Sequence, residues 1–117
     1  EGRRNEVILI SEDLPSVSAE RVTALEQMQL VTVTNRIQAE RNLRYDSGAL
    51  ILSIKPDLEN RIGFRVGDVI LQINRTGIVS AEKAAEIFRE ASGNIAVYLE
   101  RDGGVIVRQL SFRKPYD

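Results

Sequence analysis

The 117-residue chain contains no cysteine and no histidine. Without thiols it forms no disulfide, and its redox compartment stays open, because a cysteine-free chain suits the cytosol and an extracytoplasmic space equally. The two absences together exclude more. Ser/His and Cys/His nucleophilic pairs cannot be assembled, and neither can a His/Cys zinc site. Long apolar runs are also lacking, since stretches such as Ala49 to Leu52 fall far short of a membrane span. Neither sign of charge dominates: 16 basic and 17 acidic residues leave a formal net charge of −1. The basic residues are scattered, with only Arg3-Arg4 and Arg113-Lys114 adjacent. The chain therefore projects no field that would gather phosphate backbones or an anionic membrane surface, and no nucleic-acid partner is expected. Nothing in the residue types implies a cofactor.

What is present is ordinary globular material, 43% hydrophobic and 28% charged, in a length suited to one domain. Only six aromatic residues (Phe64, Phe88, Phe112, Tyr45, Tyr98, Tyr116) are available, so aliphatic side chains must fill most of the core. The opening Glu1-Gly2-Arg3-Arg4 carries no signal peptide and reads as a fragment boundary rather than a natural start.

Along the chain, β-branched Val7-Ile8-Leu9-Ile10 predicts a strand that Pro15 closes. Ser16 or Ser18 then caps a short predicted helix through Leu25. Leu30 to Thr34 alternates and predicts a strand with one buried face. Asn35 caps a predicted helical pattern to Asn42, and Tyr45-Asp46-Ser47-Gly48 is turn chemistry. Ala49 to Ile54 is nearly all apolar, the pattern of a strand covered on both faces. Pro56 ends it, and Asp57 is placed to cap a segment from Leu58 to Ile62. Asp68 to Ile73 predicts a strand, reversed tightly by Asn74-Arg75-Thr76-Gly77. Ser80 caps the clearest helix, running to about Ala91. The chain closes with a hairpin, Ile95 to Arg101 and Val105 to Phe112, turned by Asp102-Gly103-Gly104. An acidic-Gly pair followed by an aliphatic strand also occurs at Glu1-Gly2 and Val7-Ile8-Leu9, an echo that coincidence explains as readily as duplication.

Gly63-Phe64-Arg65-Val66-Gly67-Asp68-Val69-Ile70-Leu71-Gln72-Ile73-Asn74 resembles the PDZ signature of bacterial proteases. It has a Gly-apolar pair, a turn ending in Gly-Asp, an aliphatic strand and an Asn-led reversal. The order of the remaining segments extends the resemblance over residues 25 to 112. Ile73-Asn74-Arg75 is similar to the reversal in the second PDZ domain of Do-like (HtrA) serine proteases. Site-2-type proteases, carboxyl-terminal processing proteases and secretion-system components are the other parents with such a domain.

The resemblance implies an α+β fold: a PDZ-like, partly open β-barrel of about six strands capped by two or three helices. Residues 16–117 would form it, and residues 1–15 would be a lead-in strand, the last strand of a preceding PDZ repeat. It further implies a non-catalytic peptide-binding or regulatory module in an extracytoplasmic, periplasmic or cell-envelope setting. Its partners would be peptide or unfolded protein segments and a protease domain of the same chain, with oligomers formed through the parent. The alternative is a structural domain joining protomers. A PDZ domain adds the peptide as a strand at a sheet edge. Here that edge would be Met28, Gln29, Leu30, Val31 and Thr32, facing Ala81, Ala85 and Phe88 of the Ser80-capped helix.

The sequence departs from the family pattern in the loop before that strand. Leu25 to Leu30 contains no glycine and carries Glu26, a poor cradle for a terminal carboxylate. Peptide binding should then be weak and nearly insensitive to C-terminal amidation. Two short matches have bland explanations. Ser80-Ala81-Glu82-Lys83 fits a Ser-x-x-Lys nucleophile motif, but capping is sufficient work for Ser80, and Asn74-Arg75-Thr76 is a sequon buried in a turn signal.

Overall fold

The computed structural model describes residues 14–112. The expected strand Val7–Ile10 and the echo at Glu1-Gly2 lie outside the described residues.

Among the described residues seven strands join one open sheet of antiparallel pairs, in the order β1-β2-β3-β4-β6-β7 with β5 beside β4. They are β1 (Val22–Ala24), β2 (Met28–Thr32), β3 (Ala49–Ile54), β4 (Val69–Ile73), β5 (Thr76–Gly77), β6 (Gly93–Arg101) and β7 (Gly104–Phe112). Among the described residues four helices accompany it: α1 (Pro15–Ser18), α2 (Asn35–Arg41), α3 (Pro56–Ile62) and α4 (Ala81–Glu90).

Successive residues of a strand point to opposite faces, and here both faces are covered. Leu30, Ile51, Ile70 and Leu99 join Phe64, Ala84 and Phe88 in the larger core, on the α4 side. Val31, Leu50 and Val69 meet Ile37 of α2 in a smaller core. The expectation of one buried face for the second strand is thereby corrected. Leu30 and Val31 are both fully buried because α2 covers the face that alternation alone assigns to solvent.

Local chemistry accounts for most boundaries. The Ser80 hydroxyl accepts from the Lys83 amide (3.1 Å), capping α4 as its sequence predicts. Asn74 turns the β4–β5 reversal at positive φ, 53°. Three expectations change. The cap of α2 is Thr34, whose hydroxyl accepts from Ile37 N at 3.2 Å, because the strand before it ends at Thr32 and leaves Thr34 extended. The helix α3 begins one residue before Asp57, on Pro56, so Asp57 sits in the first turn, where its charge favours the helix dipole without a capping bond.

The third change bears on the site. The helix expected through Leu25 stops at Ser18. Ser16 is no cap: its amide (2.8 Å) and hydroxyl (2.6 Å) both donate to the Glu40 carboxylate. Val22–Ala24 then pairs with β2 instead of continuing a helix. The strand pairing and side-chain burial outweigh a weak local helix preference.

Candidate functional site

The edge of β2 beside α4 is where the sequence places a peptide, and the fold builds a slot there. Met28, Leu30, Ala81, Ala85 and Phe88 come together in the larger core, as a site on this edge requires. Val31 belongs to the opposite face. Gln29 also faces away, its side-chain oxygen accepting from the Ser53 hydroxyl at 3.4 Å. Thr32 closes one end of the slot. Its hydroxyl oxygen accepts from the Ala81 amide (2.8 Å) at the start of α4 and donates to Glu82 Oε1 (3.5 Å).

The slot is not bare. β1 pairs antiparallel along it, Val22 opposite Leu30, Thr23 opposite Gln29 and Ala24 opposite Met28. Ala24 is buried in the same core as Ala81, Ala85 and Phe88, while Thr23 faces solvent. The expectation of a free β2 edge is corrected for Met28–Leu30: the chain's own strand covers it, because a three-residue loop returns the preceding segment alongside. That loop is strained. Leu25 (φ 52°) and Glu26 (φ 62°) both hold left-handed backbone, and Gln27 N donates to Ala24 O at 3.3 Å to close the turn. Tight hairpin turns ordinarily assign such positions to Asn and Gly. The missing glycines of the sequence thus reappear as backbone strain.

Beside the hairpin, Thr23, Ala24, Leu25, Glu26, Ala85 and Arg89 line a solvent-open cleft of about 470 Å³. Sequence reasoning placed Glu26 beside the site but missed Val22–Ala24 and Arg89. The signal was faint: β-branched Val22-Thr23 is two residues long, and Arg89 reads as one more solvated position on the wet face of α4.

A second charged constellation supports the fold. Asp68, buried at the foot of β4, accepts from Arg101 Nε (2.9 Å), Arg101 Nη2 (2.6 Å) and the Arg65 amide (2.9 Å). Arg101 Nη2 also donates to the Gly63 carbonyl (2.8 Å). The hydrogen bond to Asp68, working against burial, raises the guanidinium pKa above its ordinary value. This network ties the Gly-Asp turn to β6 and lies away from the slot.

No family model and no curated protein matches the sequence. Solved structures do match. The HtrA3 PDZ domain bound to a phage-derived ligand (FGRWV) superposes with a TM-score of 0.64 at 18% identity, over 79% of this chain and 84% of that one. The fold is that of a PDZ domain. The HtrA-type protease AlgW with a decapeptide gives a TM-score of 0.59 at 21% identity, over 74% of this chain. The chain matches only 28% of AlgW's length, and at these identities the likeness is one of fold. The arrangement around the slot is the strand β2, a facing helix capped by Ser80, and a connecting loop at the start of the strand. In this PDZ fold the sheet is open and has seven strands among the described residues, of which β1 and the two-residue β5 were not expected from the sequence.

Proposed function

We propose that the chain is a non-catalytic peptide-binding and regulatory PDZ module of a Do-like serine protease working in an extracytoplasmic, bacterial setting, with residues 16–117 forming the domain. The observation that carries this reading is the slot between β2 and α4, floored by Ala81 and Ala85 and holding an extended antiparallel segment. A slot that accepts one strand has the backbone donors and acceptors, and the shallow apolar floor, to accept another. The absence of histidine and cysteine from the sequence leaves no His-activated or Cys nucleophile, so proteolysis belongs to another domain of the parent.

NMR titration with hydrophobic peptides tests the reading, using free-acid and amidated forms side by side. Shifts should centre on Met28–Thr32 and on Ala81, Ala85 and Phe88, with similar affinity for both forms. Shifts confined to another face would remove the groove assignment, and a strong preference for the free acid would show that the Leu25–Gln27 loop does cradle a carboxylate.

A further inference from the structure

We propose that Val22–Ala24 is an intramolecular ligand: it occupies the slot that a peptide would enter, a peptide binds by displacing it, and the preferred peptide is extended with an apolar-x-small pattern like Val-x-Ala. The inference rests on the peptide-binding reading above.

Position is the first support. β1 runs antiparallel on the one edge of β2 that faces α4, and α4 packs directly on it. Another strand would need about 4.8 Å of lateral spacing beside β2, which β1 has already taken. The two segments cannot share the slot.

Side-chain chemistry is the second. Alternation turns Val22 and Ala24 toward the core and Thr23 outward. Ala24 is only 3% exposed, packed among Ala81, Ala85 and Phe88. A competing peptide must put a residue no larger than this at the Ala24 position, and a branched or aliphatic residue two positions earlier.

The third is that the segment is loosely fastened while its flanks are held. Its ladder is three residues long, and its turn places Leu25 and Glu26 in left-handed backbone. Upstream, α1 is anchored independently to Glu40 of α2 through Ser16. Downstream, the chain continues into β2. Release of β1 is therefore a local event between two fixed points, and the open cleft at Ala24, Glu26 and Arg89 gives an incoming peptide its first foothold.

The test uses the chain's own segment in trans, the free-acid peptide Ser-Ala-Glu-Arg-Val-Thr-Ala of residues 18–24. Because the chain has no cysteine, Thr23→Cys with Gln29→Cys introduces a single cross-strand pair that locks β1 down when oxidised. Ala24→Asp places a carboxylate in an apolar slot and drives β1 out. The oxidised double variant should bind no peptide, and reduction should restore the wild-type response. Ala24→Asp should bind up to about tenfold more tightly than wild type if β1 fills the slot nine-tenths of the time. Equal binding by oxidised and reduced forms would overturn the displacement inference and leave peptide binding standing. Failure of every form, reduced, oxidised and Ala24→Asp, to bind this peptide or a hydrophobic library would overturn both readings. Should Ala24→Asp melt out, the oxidised and reduced pair decides alone.

Discussion

Val22 lies opposite Leu30 across an antiparallel ladder, so the sheet edge that faces α4 is closed by the residues just upstream of it. The consequence is a domain whose groove and whose groove-filler are encoded eight positions apart. A contact this local forms early and re-forms quickly after release.

Relieving that turn should tighten the hairpin. Glu26 is exposed and left-handed, a conformation costing roughly 1–2 kcal/mol for an L-residue. Glycine removes that cost but adds about 0.5–1 kcal/mol of chain entropy. Glu26→Gly should therefore stabilise the domain by up to about 1.5 kcal/mol in urea unfolding and weaken peptide binding. Leu25 is the poorer choice, because its side chain packs against the core. A less stable Glu26→Gly would show that the turn is not left-handed.

Two glycines separate backbone strain from crowding. Gly67 has φ +96° and open space where a Cβ would stand, so Gly67→Val should cost about 1–3 kcal/mol through the backbone alone. At Gly48, φ is +139° and a Cβ would come within 2.7 Å of both Ile70 O and Val69 Cγ1. Gly48→Ala should lower the melting temperature more than Gly67→Ala does. The reverse order would contradict the packing of the Ser47–Ala49 segment against β4.

The Asp68–Arg101 pair should be costly to break from one side. Asp68→Ala leaves a largely buried guanidinium without its counter-charge and the Arg65 amide without an acceptor. A loss of roughly 3–5 kcal/mol is expected in chemical denaturation. A loss below about 1 kcal/mol would mean that water substitutes for the carboxylate.

Acid should loosen α1. Burial acts to raise the Glu40 pKa, but hydrogen bonds from the Ser16 hydroxyl and amide, together with Arg41, outweigh it and hold the carboxyl below its usual 4.5. A carboxyl depressed on folding contributes stability above its unfolded pKa, and that stability is lost as pH falls through the folded value. Below about pH 4.5 the Ser16 amide should lose hydrogen-exchange protection, and Glu40→Gln should show the same loss at neutral pH. Protection that stays constant down to pH 2.5 would remove this role for Glu40.

The sequence alone determined the elements whose signals are local: the apolar strand Ala49–Ile54, the Asn74 reversal, the Ser80-capped helix, the Gly67-Asp68 turn and the final hairpin. Each of these is specified within a few residues, by a cap, a positive-φ position or an unbroken aliphatic run, and together they sufficed to indicate a PDZ-like α+β fold. Only the tertiary structure decided the rest. Val22-Thr23-Ala24 has no strong preference of its own, and it became a strand because the β2 edge offered unpaired backbone groups and α4 offered a floor of alanines. Arg101 was one arginine among many until folding brought it to Asp68 across 33 positions. Val31 was placed with Leu30 on the peptide-facing edge, and α2 buries it on the opposite face. In each case the deciding interaction joins segments that no short window contains, so its free energy is not expressed until the chain has closed around it.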